Sequence, residues 1–178
     1  NLWVSGMANL FTRDFFDESA RRFAPGGIFC QWVHAYYLSP ENLRDVFRTF
    51  YDVFPHGSVW EVFPGHDYLL LGTREPFQTD YAALEARLAA TKALEDYADG
   101  ARGLLAYLVA DAAKVREAVG KGPIITDDRC FIEYTAPRSM GRDTRPKVLE
   151  WMDSVRRGAP IKSLYAGVPE NTVDELNR

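Results

Sequence analysis

Between Thr12 and Gly72 the apolar residues switch repeatedly between helical and strand spacing, and this alternation confines the chain to an α/β arrangement. Thr12 is placed to cap a helix through Phe23, with Phe15, Phe16, Ser19, Ala20 and Phe23 on one side and Arg13, Asp17 and Arg21 on the other. Ala24-Pro25-Gly26-Gly27 stops that helix, and Ile28 to Val33 reads as a buried strand. Ser39 followed by Pro40 is a helix start, and Leu43, Val46, Phe47, Phe50, Tyr51 and Phe54 then fall on one helical face. Pro55-His56-Gly57 ends it, with His56 expected as a cap. Val59 to Phe63 and Tyr68 to Gly72 read as two strands joined by the turn Pro64-Gly65-His66-Asp67. The predicted fold is the later half of an open α/β sheet whose last strands form an antiparallel hairpin.

Beyond Gly72 the chain reads as mainly helical. Helices are expected over Asp80 to Ala90, Leu104 to Val109 and Asp111 to Val119, and Gly120-Lys121-Gly122-Pro123 breaks the pattern. Cys130 to Tyr134 reads as a short strand, and a last amphipathic helix from Thr144 carries Leu149, Met152 and Val155. Pro137 to Thr144 is the linker candidate, which divides the chain into residues 1–138 and a helical extension, 139–178.

Composition narrows the function. A hydrophobic fraction of 47% fits a globular chain, and a net charge of −4 gives no basic face for nucleic acid. Cys30 and Cys130 lack any ligand spacing, so no metal site is expected, and their apolar neighbours predict reduced, buried thiols. No apolar run approaches the roughly 20 residues that span a bilayer, so no membrane contact by this segment is expected. The chain opens on Asn1-Leu2-Trp3 without a methionine, which reads as a fragment.

Several ordered motifs resemble the spermidine/spermine synthase family, in particular the bacterial spermidine synthase-like branch. They are Asn1 to Thr12 ahead of a helix, Ala24-Pro25-Gly26-Gly27-Ile28-Phe29-Cys30-Gln31-Trp32, Tyr37 to Leu43, Val53 to His56 and Thr126-Asp127-Asp128-Arg129. The matches extend over residues 1–138. The resemblance implies the C-terminal portion of a Rossmann-like methyltransferase sheet, parallel with an antiparallel hairpin at one edge. It also implies a cytoplasmic enzyme, in a branch some of whose members are fused to membrane segments. That enzyme transfers an aminopropyl group from decarboxylated S-adenosylmethionine to a polyamine. The donor's Gly-rich loop and ribose-binding acid belong upstream of residue 1, so donor-binding residues are expected outside this chain. Two alternatives stand beside this one, a non-catalytic interaction or regulatory module on a degenerate synthase fold and an S-adenosylmethionine-dependent small-molecule methyltransferase.

The resemblance also assigns candidate residues. Asn1 occupies the position of the family's catalytic aspartate, although an amide accepts no proton at neutral pH. Gln31 matches a glutamine near the amine pocket, or is a hydrogen-bonded strand-end amide. Trp3, Trp32 and Trp60 wall a channel for an alkylammonium chain by cation–π contact, or are core residues. Glu61 and Asp67 flank the hairpin turn, either as ammonium partners or as solvated loop charges. Thr126 to Arg129 reads as a local capping and ion-pair network, and His34, Tyr36 and Tyr37 lead into the loop before Ser39 without a nucleophile beside the histidine. A half-sheet leaves its first strand with an open edge and an apolar face, which predicts a homo-oligomer or pairing with the missing N-terminal half.

Overall fold

The computed structural model of the protein describes residues 2–91, 99–156 and 161–176. Both expected caps form. The Thr12 oxygen accepts the Phe15 N–H at 3.2 Å and starts α1 (Arg13–Arg21); the Ser39 oxygen accepts the Asn42 N–H at 3.2 Å and starts α2 (Pro40–Val53). Between them runs β1 (Phe29–His34), followed after α2 by β2 (His56–Phe63) and β3 (Asp67–Thr73). His56 is therefore the first residue of a strand rather than a helix cap. The chain continues through β4 (Thr79–Asp80), α3 (Tyr81–Ala90), α4 (Gly100–Leu105), β5 (Leu108–Asp111), α5 (Ala112–Val119), α6 (Ile132–Thr135), α7 (Arg145–Arg156), α8 (Ile161–Leu164), β6 (Tyr165–Ala166) and α9 (Glu170–Leu176). No described helix is long and apolar enough to cross a membrane.

The main sheet is four-stranded in the order β1-β3-β2-β5, and every pairing is antiparallel. The fold is thus α/β, with the hairpin formed by β2 and β3. Because β3 returns between its neighbours, β1 and β2 run in the same direction without touching. β1 is an edge strand whose outer side has no partner among the described residues.

Two further sequence expectations change. Cys130 to Tyr134 is no strand: the Glu133 N–H donates to the Cys130 carbonyl and the Tyr134 and Thr135 N–H groups to the Phe131 carbonyl, local turns that lead into the short helix α6 and leave no ladder partner. The segment expected as helix from Leu104 to Val109 instead breaks after Leu105, and β5 pairs with β2 through Ser58↔Asp111, Val59↔Ala110 and Trp60↔Leu108. All four β5 residues are buried, so the strand shows no alternation to distinguish it from a helix.

The two faces of the sheet build separate cores. Val33, Val59, Tyr68 and Leu70 pack against Phe16, Phe47, Phe50 and Phe54 of the helical layer. On the other face, Trp60 and Leu108 pack with Leu105, Leu164, Tyr165 and Val168. The C-terminal residues serve both cores: α7 inserts Val148, Trp151, Met152 and Val155 into the first, and β6 pairs with β4 in parallel beside the second. The extension is therefore integrated with residues 1–138. Its proposed linker holds a 3-10 turn, Ala136–Ser139, with Ser139 buried.

Arg156 joins α7 to the sheet. Its guanidinium donates to Glu61 Oε2 at 2.7 Å and to the Leu108 carbonyl at 3.0 Å. Glu61 is 9% exposed. Its other oxygen accepts the Tyr68 hydroxyl at 2.6 Å and the Gly65 N–H at 3.1 Å. Removing the arginine takes from this carboxylate the cation that pairs with it among the described residues, so Arg156→Ala is expected to lower stability by about 2 kcal/mol in urea unfolding. The solvent-exposed Arg21–Glu18 pair is the control, and Arg21→Ala is expected to cost less than about 0.5 kcal/mol.

Candidate functional site

On β1 the side chains of Cys30, Trp32 and His34 share one face by strand alternation. The second core covers that face over β2 and β5 but stops short of β1. Cys30 is consequently exposed and Cys130 half-buried; both are free thiols, and the expectation of two buried ones is corrected. At the carboxyl end of β1 the uncovered face carries a group of rings. The edge of Trp3 meets His34 at a centroid distance of 4.4 Å, and Trp32 lies 5.5 Å from the same imidazole. Tyr36 lies 5.2 Å from His34 and 5.8 Å from His66, while Tyr37 reaches Trp3 at 6.0 Å. Tyr37 has φ of 57°, a left-handed conformation uncommon for a non-glycine residue, and it shapes the turn that presents this ring.

The opening segment that carries Trp3 is held from the far end of the chain. The Gly6 N–H donates to Glu133 Oε1 at 2.8 Å, and the Thr12 hydroxyl donates to Asp127 Oδ1 at 2.6 Å. The Asp127 N–H donates in turn to Asp14 at 2.9 Å, and the Thr126 oxygen accepts the Arg129 N–H at 3.2 Å. The Thr126 to Arg129 motif thus clasps the start of α1.

Two polar groups stand among the rings. His34 is fully buried and neither ring nitrogen has a hydrogen-bond partner. Burial lowers its pKa to about 4, so the imidazole is neutral at pH 7. Asp67 sits directly opposite His34 across β1–β3 and opposite Phe63 across β2–β3. Its carboxylate accepts the Trp32 Nε1–H at 3.0 Å and forms no ion pair among the described residues. The arrangement is an aromatic surface with one carboxylate in it, which suits an organic cation.

The sequence-predicted residues divide accordingly. Trp3, Trp32 and Asp67 come together. Gln31 points to the opposite face, and its amide donates to the Trp32 carbonyl at 2.9 Å. Trp60 is a core residue of the second cluster, with its Nε1–H on Ser58 Oγ at 2.8 Å, and it walls no channel with the other two. Glu61 faces the first core and is engaged by Tyr68, Gly65 and Arg156 rather than held as a solvated loop charge. Asn1 lies outside the described residues. Sequence reasoning missed His66 and Phe63. The bulge between Glu61 and Phe63 turns the Phe63 side chain onto the face of Asp67, and nothing in the local sequence signals that extra residue. No protein-family model, curated protein or solved structure matches the chain.

Proposed function

We propose that the chain forms the acceptor-amine side of a spermidine synthase-like aminopropyltransferase, on the later half of a Rossmann-like methyltransferase sheet. The observation that carries this reading is the strand order: β3 returns antiparallel between β1 and β2, and β1 is left as an open edge with the aromatic and carboxylate group at its carboxyl end. Ligands of open α/β sheets sit at the carboxyl ends of the strands. Strands that pair with the free edge of β1 would supply the donor site, and the edge favours such pairing because Phe29 to His34 contains no Lys, Asp, Glu or Pro. Another copy of the chain is the other candidate partner for this edge.

In the reaction the acceptor nitrogen uses its lone pair to bond the carbon beside the donor's sulfonium. The carbon–sulfur pair leaves with sulfur as a neutral thioether, and the nitrogen gives up one proton. Asp67 and the surrounding rings hold the amine; Asp67 also supplies an oxygen able to receive the proton. His34, neutral and weakly basic in its buried position, helps to form the wall. Isothermal titration of the intact protein with decarboxylated and ordinary S-adenosylmethionine, together with mass spectrometry of putrescine turnover, tests the reading. Binding of the decarboxylated donor with aminopropyl transfer is expected. Methyl transfer from the ordinary donor would make the protein a methyltransferase, and no binding of either would make it a non-catalytic module.

A further inference from the structure

Resting on that reading, we propose that the amine taken at Asp67 carries a single ammonium on an aromatic or apolar body, an arylalkylamine, in preference to a di- or polyammonium chain. The carboxylates decide the charge. A polyamine needs an acid for each ammonium it brings out of water, because an unpaired charge against apolar surface is costly. Among the described residues, Asp67 is the carboxylate hydrogen-bonded to a member of the ring group. The neighbouring acid, Glu61, points to the other face and already has three donors, Tyr68, Gly65 and Arg156. Among the described residues, a second ammonium beside Asp67 finds no further acid paired with this group of rings.

The surface around Asp67 decides the body. Phe63, directly across from it on β2, is 61% exposed, and Trp32, which donates to it from β1, is 43% exposed. Val62, the residue displaced by the bulge, is exposed at 37% beside Phe63. Exposed apolar side chains thus flank the carboxylate on both neighbouring strands. An exposed apolar group around a lone acid is what a ligand with one cationic end and an apolar end would cover. A slender methylene chain with a second charge covers less of that surface and strands its far ammonium over it.

The test is isothermal titration of the chain with three probes: 2-phenylethylamine, n-butylamine and putrescine. The expected result is saturable binding of 2-phenylethylamine roughly tenfold tighter than putrescine, with n-butylamine between them. Asp67→Asn is expected to weaken all binding by about tenfold or more. Phe63→Ala changes an exposed side chain and keeps the fold intact; it is expected to weaken 2-phenylethylamine several-fold while leaving n-butylamine within about twofold. Putrescine binding as tightly as 2-phenylethylamine, no saturable binding of any probe, or binding indifferent to both substitutions would each overturn the inference. An aminopropyl-transfer assay on the intact protein separates it from the reading beneath it. Tight 2-phenylethylamine binding with no transfer to any amine defeats the transferase and leaves the binding site standing; preferential transfer to putrescine does the reverse.

Discussion

Replacing Gly57 with alanine is expected to remove about 4 kcal/mol of stability, a large share of what holds a domain folded. Gly57 lies near the start of β2 with φ of 133°, a conformation that L side chains rarely adopt, and it faces Gly72 of β3. A Cβ at Gly57 would stand 1.9 Å from the Leu71 carbonyl oxygen and 2.8 Å from its carbon. Both are backbone atoms of the paired strand, so no rotamer change relieves the contact and the β2–β3 pairing has to open. Backbone strain of about 1–3 kcal/mol adds to an overpacking cost of similar size, against a total stability of roughly 5–15 kcal/mol for a domain. Gly72 is a weaker case: its φ is not positive and a Cβ there meets side-chain atoms, Phe54 Cβ and Cγ at 2.6 Å and Phe50 Cε1 at 2.8 Å, rather than the backbone of a paired strand. Urea unfolding followed by circular dichroism checks the order. A Gly57→Ala protein within about 1 kcal/mol of the parent would show that the hairpin register is not the one described.

The second large effect is one of pH. Between pH 7 and pH 4 the protein is expected to lose about 3 kcal/mol more stability than its His34→Leu variant. The ordinary imidazole pKa is 6.5, and burial lowers that of His34 to about 4 in the folded chain. Above pH 6.5 neither state is protonated at this residue and it exerts no differential pull. As pH falls below 6.5 the unfolded chain takes up the proton while the folded chain does not, so unfolding is favoured progressively until the folded group titrates near pH 4. At about 1.4 kcal/mol per pKa unit, the full difference comes to roughly 3 kcal/mol. Other groups near the ring, Asp67 across the strand pair and His66 beside Tyr36, remain in the variant, so the difference between the two unfolding curves isolates His34. Urea midpoints at pH 7.5, 5.5 and 4.5 are the measurement, and parallel loss in both proteins would show that the imidazole is not buried as described.

The parts of the fold that were legible in the sequence are those set by local chemistry. Thr12 and Ser39 cap helices because their hydroxyls reach the N–H three residues on, and the Pro64-Gly65 turn closes a hairpin between two apolar runs. What was not legible depends on which surface comes to lie over a strand. Trp32 and Trp60 are both opposite Leu69 and share a face of the sheet, yet α4 and α8 bury Trp60 and leave Trp32 open. No local pattern distinguishes them. The exposure of Cys30 has the same cause, since Ile28 to Val33, apolar except at Gln31, reads alike whether or not a layer covers it. The expected helix over Leu104 to Val109 runs into β5 because a short, wholly buried strand has no period. Of the site, Trp3, Trp32 and Asp67 emerged from the motifs, while Phe63 needed the bulge and the engagement of Glu61 needed Arg156, 95 residues further along.

The central claim is that Asp67 and the rings around it receive an organic ammonium, and the four tryptophans of the chain report on it directly. In a nitrogen–proton correlation spectrum, titration with 2-phenylethylamine is predicted to move the Trp32 indole signal saturably, because its Nε1–H is bonded to the Asp67 carboxylate. The Trp60 and Trp151 signals, from residues in the two cores, are predicted to stay in place. A Trp32 signal that does not move, or that moves no more than those of Trp60 and Trp151, would contradict the account.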